Sequence, residues 1–191
     1  CKPMFEHELL NWWDIHYLPC NGTKYYKLEQ HGMKLVYEKN MRKELGEDKW
    51  ARMIRLITGL QFSLVNGNRN IPLTGNFINY RGSTLNWCPI GRQAAAGDRS
   101  IWKLWDIHNS IRCKWLNNAR YAFDTSGLEN VVIKMGGDTS FDIYPEGWDK
   151  TYAFKNFESY EKIYFVGDRC GPNGNDKEAY ELAGKLGYST T

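Results

Sequence analysis

The feature that most constrains this chain is an apolar run that ends in a glycine and an acid, Ile163-Tyr164-Phe165-Val166-Gly167-Asp168. Such a run favours a buried β-strand whose carboxyl end delivers Asp168 into a loop. Asp176 follows eight positions later, next to an amide and a glycine. Magnesium prefers oxygen ligands and usually takes only one or two carboxylates from a protein. The pattern therefore predicts a divalent-cation site at a strand end that involves Asp168 and Asp176.

Lys150 precedes Asp168 by 18 residues, in the segment Pro145-Glu146-Gly147-Trp148-Asp149-Lys150. A lysine beside an acidic pair that suits a metal stabilises negative charge on a transferring phosphoryl group. We therefore interpret Lys150 and the two aspartates as a phosphoryl-transfer site. The alternatives are an exposed lysine on a first turn and an acidic cap or turn residue. No phosphate-accepting nucleophile accompanies these residues in the sequence.

Several polar residues lie in the middle of the chain, around a predicted hairpin and the start of the helix that follows it. Arginine presents a planar fork that binds phosphate through two hydrogen bonds, and a helix N-terminus adds N–H groups and a positive dipole. Each residue alone is more typical of a solvated surface, but the group predicts a phosphate site. Its members are Arg81, Asn86, Arg92 and Arg99.

Ser140 and Asp142 lie two positions apart in the predicted strand over residues 140–144. Side chains two apart on a strand point to the same face of the sheet. On such a face Asp142 is suited to hold sugar hydroxyls, although capping a loop and pairing with a lysine are equally compatible roles.

Two patterns of structure occur along the chain. From about residue 24 to 145, β-prone runs joined by tight turns are combined with two helical regions, which is typical of an antiparallel sheet with helices. After residue 145, the order of helix, strand, loop and helix is typical of a parallel βαβ unit. We therefore predict an α/β protein with core segments at 1–23 and 146–191 and an inserted unit at 24–145.

The individual elements follow from hydrophobic periodicity and turn residues. Gly46 is the weak point of the first helix, and Asp98 is the predicted N-cap of the second. The predicted elements are a hairpin over 24–28 and 33–37, a helix over 41–60, a hairpin over 77–81 and 84–88, a helical region over 98–123, strands over 131–135 and 140–144, a helix over 150–157, a strand over 163–166 and a helix over 176–186.

Composition argues against several classes of protein. The net charge of the 191 residues is only +3 and the basic residues are scattered, so we expect no nucleic-acid partner. No apolar run approaches the roughly 18 residues that cross a bilayer, so we expect no membrane span. The five cysteines are widely spaced and form no C-x-x-C pair, which indicates free thiols rather than a zinc or redox motif.

The order and spacing of these motifs resemble those of the eukaryotic-type phosphomannomutases, a family of the haloacid dehalogenase superfamily. The most specific match is Gly147-Trp148-Asp149-Lys150 followed by Gly167-Asp168 and Gly174-Asn175-Asp176. The clear resemblance covers about residues 76–190, and a looser one reaches back to Leu18-Pro19-Cys20-Asn21-Gly22. The other matching segments are Arg81 with Asn86, Pro89-Ile90-Gly91-Arg92, Arg99, and Gly136-Gly137 with Ser140-Phe141-Asp142.

The resemblance implies a partial Rossmann-like haloacid dehalogenase core with an inserted α+β cap, made of an antiparallel sheet and helices, that closes over a hexose phosphate. It implies that Lys150 and Asp168 are catalytic, and that Asp168 organises Mg²⁺ with Asn175 and Asp176. The cap residues that it assigns to the sugar and its distal phosphate are Arg81, Asn86, Arg92, Arg99, Ser140 and Asp142.

The resemblance also implies an activity and its setting. Members of the family interconvert mannose 6-phosphate and mannose 1-phosphate through a phosphoaspartate, with Mg²⁺ and a hexose 1,6-bisphosphate as activator. They serve mannose metabolism and GDP-mannose biosynthesis, are cytoplasmic, and are commonly homodimers joined through the cap. We therefore expect a metal-binding isomerase that forms a homodimer in the cytoplasm.

One departure from the family is large. Its members open with Asp-x-Asp-Gly-Thr, in which the first aspartate is phosphorylated and the second is the general acid and base, and this sequence contains no such motif. The Ser or Thr expected after the second core strand has no counterpart either. At the family's additional cation loop, Leu182 stands where an acid is expected. We therefore expect the phosphorylated aspartate to lie outside this chain.

Three functions are compatible with this sequence. A phosphomannomutase whose nucleophile is not in this chain is favoured by the intact set of sugar and metal residues. A catalytically inactive relative that acts as a binding or structural subunit is favoured by the missing nucleophile and the eight tryptophans. A sugar-phosphate phosphatase is disfavoured by the arginines predicted to hold a second phosphate, since a phosphatase need hold only the phosphate that it cleaves.

Overall fold

The computed structural model describes residues 15–29, 32–68, 70–157, 160, 162–171, 174 and 176–190. Two 3₁₀ helices, Cys20–Gly22 and Lys150–Asn156, accompany the strands and α-helices. In chain order the other elements are β1 (His16–Tyr17), β2 (Lys24–Glu29), β3 (Gly32–Glu38), α1 (Met41–Gly67), β4 (Ile78–Tyr80), β5 (Leu85–Trp87), α2 (Ala96–Asn109), α3 (Ile111–Asp124), β6 (Val131–Gly136), β7 (Ser140–Pro145), β8 (Tyr164–Phe165), α4 (Lys177–Lys185) and β9 (Ser189–Thr190).

The largest sheet has the strand order β4-β5-β7-β6, and all its pairs are antiparallel. Side chains alternate between its two faces because successive residues of a strand point to opposite sides. A row of directly paired residues on one face contains Trp87, Phe141 and Met135, and the first two rings stack with centroids 4.7 Å apart. This face is therefore the apolar side of the sheet.

The hydrophobic core lies between the apolar side of this sheet and the helices. Helix α1 lies against β7 and α3 against β6. Each fully buried large apolar side chain contributes about 1.5 to 3 kcal/mol relative to an exposed one. The helical residues that are fully buried in this core include Met53, Ile57, Leu64, Trp102 and Phe123.

Helix α1 confirms the helix predicted over 41–60 and continues to Gly67. The buried Leu64 extends the apolar stripe, and the Gln61 side chain accepts a hydrogen bond from Trp87 Nε1 at 2.7 Å. These tertiary contacts hold the additional turns. The weak point expected at Gly46 is also present, because Gly46 interrupts the helix with a φ of 76° and a ψ of 161°.

The single helical region predicted over 98–123 is two helices, and its predicted N-cap is wrong. Ser110 adopts a left-handed conformation with φ 53° and separates α2 from α3. The break is stabilised because Asp106 Oδ1 accepts a hydrogen bond from the Arg112 backbone N–H at 2.6 Å, which caps α3 from the preceding helix. Helix α2 follows Ala95, so Asp98 lies within its first turn, where an acid favours the helix dipole.

The first predicted hairpin is confirmed as β2 and β3, but it does not join the large sheet. It pairs with β1 in a separate three-stranded antiparallel sheet. Aromatic packing holds this arrangement, since the Tyr25 hydroxyl lies 2.6 Å from His16 Nδ1 and the two rings stack. A hydrogen bond of 2.6 Å between the hydroxyls of Thr23 and Ser83 connects this sheet to the region of the second hairpin.

The last part of the chain forms a small βαβ unit, as predicted, but two of its elements differ from the prediction. Strand β8 is shorter than the predicted strand over 163–166 and is not buried, since Tyr164 is 64% exposed, and the helix predicted over 150–157 is the 3₁₀ helix Lys150–Asn156. Strands β8 and β9 pair in parallel, with α4 between them in sequence. The segment Cys20–Gly22 packs against the 3₁₀ helix Lys150–Asn156 so closely that a Cβ on Gly22 would lie 2.6 Å from Ala153 Cα. Among the described residues, no helix combines the length and the apolar character that a membrane span requires.

Candidate functional site

A polar row crosses the large sheet on the side opposite its apolar face. In the order of the strands, Asn79 pairs with Asn86, Asn86 with Asp142, and Asp142 with Lys134. Directly paired residues of neighbouring antiparallel strands hold their Cβ atoms about 4.5 to 5.5 Å apart. The row therefore forms a continuous strip of amide, carboxylate and ammonium groups.

Asn86 is the centre of this strip and is buried. Its side-chain amide donates hydrogen bonds to Ser140 Oγ at 2.9 Å and to Asp142 Oδ1 at 2.7 Å. Its amide oxygen accepts a weak hydrogen bond of 3.5 Å from Arg92. Four of the predicted substrate-binding residues are thus connected through one buried asparagine.

The tight turn predicted at Gly136-Gly137 makes room for the Asp142 carboxylate. A Cβ on Gly136 would lie 2.7 Å from Asp142 Oδ2, too close for any side chain at this position. The Ser140 hydroxyl donates to the Gly136 carbonyl at 2.7 Å and so fixes the turn against β7. Asp142 therefore stays half-buried yet close to a surface formed only by backbone.

A cavity of about 400 Å³ lies beside this strip, between the start of α2 and the turn that joins β6 to β7. Its wall combines cationic side chains with a backbone turn that contains two glycines, which is a composition suited to an anion. The residues that line it are Arg92, Arg99, Ser100, Lys103, Gly136, Gly137, Asp138, Thr139 and Ser140.

Arg99 is held in place by three hydrogen bonds from its guanidinium group. The Nε donates to the Ala94 carbonyl at 2.9 Å, and the two terminal nitrogens donate to Thr139 Oγ1 at 3.1 Å and to the Arg92 carbonyl at 2.7 Å. An arginine has five N–H donors in a fixed fork. Two donors therefore remain for a ligand in the cavity, on a side chain that is already oriented.

Arg81 differs from the other predicted arginines. It follows β4, is exposed, and its Nε donates to Asn79 Oδ1 at 3.3 Å. Within the described part of the chain it does not line the cavity that contains Arg92 and Arg99. The structure therefore places Arg81 beside the end of the polar row, next to Asn79.

A second cluster forms around Asp176, at the loop between β8 and α4. The Lys150 ammonium contacts Asp176 Oδ1, and Asp176 Oδ2 accepts a hydrogen bond of 3.1 Å from the Arg169 backbone N–H. The Asp168 carboxyl lies beside the same group. Burial raises the pKa of Asp176, but the hydrogen bond and the charge of Lys150, together with the Arg169 backbone N–H and the neighbouring Asp168, hold that pKa below its ordinary value.

The donor atoms of this cluster suit a hard cation, since they are oxygens of two neighbouring carboxylates, Asp168 and Asp176. The Asp168 side chain is exposed to solvent. Both oxygens of Asp176 already have partners, so Asp168 is the better placed of the two to reach an ion directly. In the residues that the structure describes, no group of three or more His, Cys, Asp or Glu residues is arranged to hold a metal. The predicted ligand Asn175 lies outside the described residues.

A larger and mainly apolar cavity of about 600 Å³ has Lys150 in its lining. Among the described residues that line it, Lys150 is the only cation, and its ammonium contacts the Asp176 carboxylate. The lining residues are Leu18, Asn21, Gly22, Lys150, Ala153, Phe154, Phe157, Ile163, Tyr164, Phe165, Val166 and Ala179.

Two ion pairs connect the large sheet with the region of Asp176. Lys134, at the end of the polar row, contacts Glu178 in the first turn of α4 at 2.5 Å. Asp138, in the turn before β7, lies 3.9 Å from the Arg169 guanidinium. The polar face of the sheet therefore faces the loop that carries the predicted metal residues.

Sequence reasoning missed three residues of this arrangement. Asn79 and Lys134 complete the polar row, and Lys103 completes the wall of the cationic cavity. One signal was available for Lys134, because a lysine stands in the otherwise apolar strand Val131-Val132-Ile133-Lys134-Met135. Nothing in the sequence marks Lys103 as different from the other surface lysines of a helix.

Comparison with protein families gives one match that covers nearly the whole chain. Residues 3–191 match the model described as Eukaryotic phosphomannomutase. Among similar proteins, a phosphomannomutase from Drosophila melanogaster is 34% identical over 187 residues, covering 94% of this chain and 68% of the relative. One from Dendrobium officinale is 33% identical over 172 residues, covering 90% and 64%. The chain thus spans about two thirds of the length of these relatives.

Among solved structures, the chain resembles an IMP-bound IMP-nucleotidase of Plasmodium falciparum with a TM-score of 0.53. The sequences are only 9% identical, and the match covers 89% of this chain and 42% of the other. At this identity the likeness concerns the fold alone. It agrees with the predicted α/β fold class.

Proposed function

The chain belongs to the eukaryotic phosphomannomutase family, and on that premise we propose that its protein interconverts mannose 6-phosphate and mannose 1-phosphate. The isomerase predicted from the sequence agrees with the family's name. We further propose that residues 24–145 act as the cap, that the flanking segments 1–23 and 146–191 act as the core, and that the protein works in the cytoplasm.

The observation that carries this proposal is the position of the cationic cavity relative to the polar row. Arg92 and Arg99 line the cavity, and Ser140 connects its wall to the Asn86–Asp142 pair. A sugar phosphate offers a dianion at one end and a ring of hydroxyls beside it. The arrangement supports phosphate binding by the arginines and hydroxyl binding by Asp142, whose carboxylate accepts hydrogen bonds.

At the other end of the substrate, Lys150 and Asp168 are the residues that we propose act on the transferring phosphoryl group. The Lys150 ammonium, oriented by Asp176, provides positive charge where the phosphoryl oxygens become more negative. Asp168 and Asp176, with Asn175, would hold Mg²⁺, which when bound supplies further charge neutralisation on the phosphoryl oxygens.

Arg81, beside the end of the polar row, is the remaining residue that we propose for the substrate. The phosphate acceptor and the general acid and base of the family have no counterpart in this sequence. No Asp-x-Asp-Gly-Thr sequence occurs in it, so we propose that the phosphorylated aspartate comes from outside this chain. Because a mutase must return a phosphoryl group to either end of the sugar, we also propose a hexose 1,6-bisphosphate as the activator. A covalent route requires the acceptor, whereas binding and orientation of the sugar phosphate do not.

The substitution Arg92→Met tests the phosphate site. Arg92 is exposed and its side chain donates a weak hydrogen bond of 3.5 Å to Asn86, so the variant should keep its fold. Loss of charge-assisted hydrogen bonds to a phosphate is expected to weaken binding of mannose 1-phosphate about 10- to 100-fold. Isothermal titration calorimetry with the chain in MgCl₂ measures this change. Arg42→Met is the matched control, since Arg42 is exposed on α1 and pairs with Glu47 at 2.7 Å.

Turnover distinguishes the proposed mutase from the two alternatives. The protein purified from its natural source is incubated with mannose 1-phosphate, Mg²⁺ and glucose 1,6-bisphosphate and followed by ³¹P NMR. A mutase produces mannose 6-phosphate, a phosphatase releases inorganic phosphate, and an inactive relative binds the sugar phosphate without changing it. Absence of binding to the wild-type chain would reject the sugar-phosphate site itself.

An apolar face of α2 supports the proposal that the protein is a homodimer joined through the cap. Ile101, Leu104 and Ile107 recur every three residues and are 63%, 61% and 65% exposed. Residues at this spacing lie on one side of a helix. Such a face is self-complementary when two copies meet around a two-fold axis, which is the commonest symmetry of protein dimers.

The substitution Leu104→Glu is expected to convert this dimer into a monomer, because it places a charge at the centre of the apolar face. Sedimentation velocity of the wild type and the variant measures the change. Phe62→Glu is the control, since Phe62 is a 69% exposed aromatic on α1 rather than on this face. A wild-type chain that sediments as a monomer at all concentrations would contradict the proposed dimer.

A further inference from the structure

The cavity that we assign to the distal phosphate contains a third cation, Lys103, which the resemblance does not assign to the substrate. We propose that Lys103 binds the phosphate together with Arg92 and Arg99, and that Asp138 is an internal competitor which holds Lys103 when no phosphate does. This inference rests on the proposed function, because it concerns the same cavity. It adds a residue that tunes the affinity and the charge selectivity of the site.

The position of Lys103 follows from the geometry of α2. Lys103 lies four residues after Arg99, so the two side chains emerge from the same face of the helix one turn apart. Both line the cavity, together with the turn at residues 136–140. The Arg99 guanidinium is fixed by three hydrogen bonds, whereas the long Lys103 side chain has one ion pair, with Asp138. Lys103 is therefore the movable cation of the site.

The ion pair of Lys103 is weak enough to be exchanged for a ligand. Its Nζ lies 3.3 Å from Asp138 Oδ2, and the two side chains are 53% and 50% exposed. Exposed ion pairs of this kind contribute little because water competes for both partners. A phosphate dianion carries twice the charge of a carboxylate and offers three oxygens, so it is the stronger partner for an ammonium group.

The charges of the cavity wall match those of a phosphomonoester. Three cations and the single carboxylate of Asp138 give a net charge of +2 in the wall, equal and opposite to that of a phosphate dianion. Asp138 also lies 3.9 Å from the Arg169 guanidinium, at the loop of Asp168. When Lys103 turns to the phosphate, Asp138 can keep Arg169 as its partner, and no charge is left without one.

Two substitutions test the proposal because they are expected to change affinity in opposite directions. Lys103→Met should weaken binding of mannose 1-phosphate and of inorganic phosphate about tenfold, through loss of a charge-assisted contact. Asp138→Asn should strengthen both several-fold, since it removes the competitor and a repulsive carboxylate. The gain from Asp138→Asn should be smaller in the double variant, because Lys103 is no longer there to be released. Calorimetric titration of the wild type and the three variants gives the affinity of each for both ligands.

An exposed ion pair in the other sheet provides matched controls. Lys34 and Glu29 are 3.0 Å apart in the β2–β3 hairpin, so Lys34→Met and Glu29→Gln repeat the two changes of charge away from the cavity. One contrary result is that Lys103→Met and Asp138→Asn change the affinity no more than these controls while Arg92→Met weakens binding. That result would show that the role proposed for Lys103 is wrong and would leave the proposed phosphate site intact. If the wild-type chain binds neither probe, the proposed function fails, and this inference fails with it.

Discussion

Replacing Asp106 by alanine is expected to lower the free energy of unfolding by about 3 to 5 kcal/mol, because it removes one partner of a buried ion pair. The side chains of Arg112 and Asp106 are only 13% and 11% exposed, and Nε and Oδ2 lie 2.7 Å apart. The same carboxylate caps α3 by accepting a hydrogen bond from the Arg112 backbone N–H at 2.6 Å. Urea unfolding followed by circular dichroism measures the loss.

The double variant Asp106→Ala/Arg112→Met separates the buried charge from the cap. Removing both charges leaves no unpaired ion inside the protein, so it should cost less than the sum of the two single substitutions. Asp124→Ala is the control, since Asp124 is an exposed aspartate at the end of α3 and should change stability by less than about 0.5 kcal/mol. A loss below about 1 kcal/mol for Asp106→Ala would contradict the importance of the pair.

This ion pair also concerns the candidate site, since Arg112 donates a further hydrogen bond of 2.9 Å to the Gly137 carbonyl. Gly137 belongs to the turn that forms one wall of the cationic cavity. The break between α2 and α3, which sequence reasoning did not detect, thus positions an arginine against the turn of the proposed phosphate site. Local sequence does not reveal the break, because the capping residue Asp106 lies in the preceding helix rather than at the usual cap position.

Elements formed by local periodicity were predictable, whereas those formed by distant contacts were not. Strand β6 follows from an apolar run, β7 from alternation after a glycine turn, and α1 from an apolar stripe, so all three agree with prediction. Strand β9 has only two residues and exists through pairing with β8, which no local pattern indicates. The association of the first hairpin with β1 likewise depends on aromatic contacts such as that of Tyr25 with His16.

The candidate site shows the same division. The types of its residues and their grouping could be predicted, because arginines near a helix start and acids at a strand end have recognisable chemistry. The register could not, and it is the register of three strands that brings Asn86, Asp142 and Lys134 into one row. Lys103 and Asp138 meet in the wall of the cationic cavity only because α2 packs beside the turn that joins β6 to β7, and local sequence does not indicate this packing.

The second large effect is expected at Asp176. Replacing Asp176 by asparagine keeps its size but removes the charge that pairs with Lys150 and weakens the acceptor for the Arg169 N–H. We expect a loss of about 2 kcal/mol at neutral pH. This loss is smaller than the loss expected for Asp106→Ala. The Asp176 side chain is only 8% exposed, but Lys150 is 37% exposed, so solvent screens the attraction between them.

The loss should depend on pH in a defined direction. Burial raises the pKa of Asp176, but Lys150, the Arg169 backbone N–H and the neighbouring Asp168 together hold that pKa below its ordinary value in the folded protein. The charged form then contributes stability that is fully present above the unfolded-state pKa of about 3.9 and is lost as the pH falls through the lower folded-state pKa. The difference in unfolding free energy between the wild type and Asp176→Asn should therefore be constant from neutral pH to about pH 5 and shrink below about pH 4.

Urea unfolding of both proteins across this range, in EDTA so that bound cations do not contribute, measures the difference directly. Glu181→Gln in α4 is the matched control, because Glu181 pairs with Lys177 at 3.7 Å in an exposed position and its loss should be small at every pH. A difference for Asp176→Asn that grows as the pH falls would mean that burial, rather than Lys150, dominates the carboxylate. In that case Lys150 would not be oriented by Asp176, and its proposed role at the phosphoryl group would lose its structural basis.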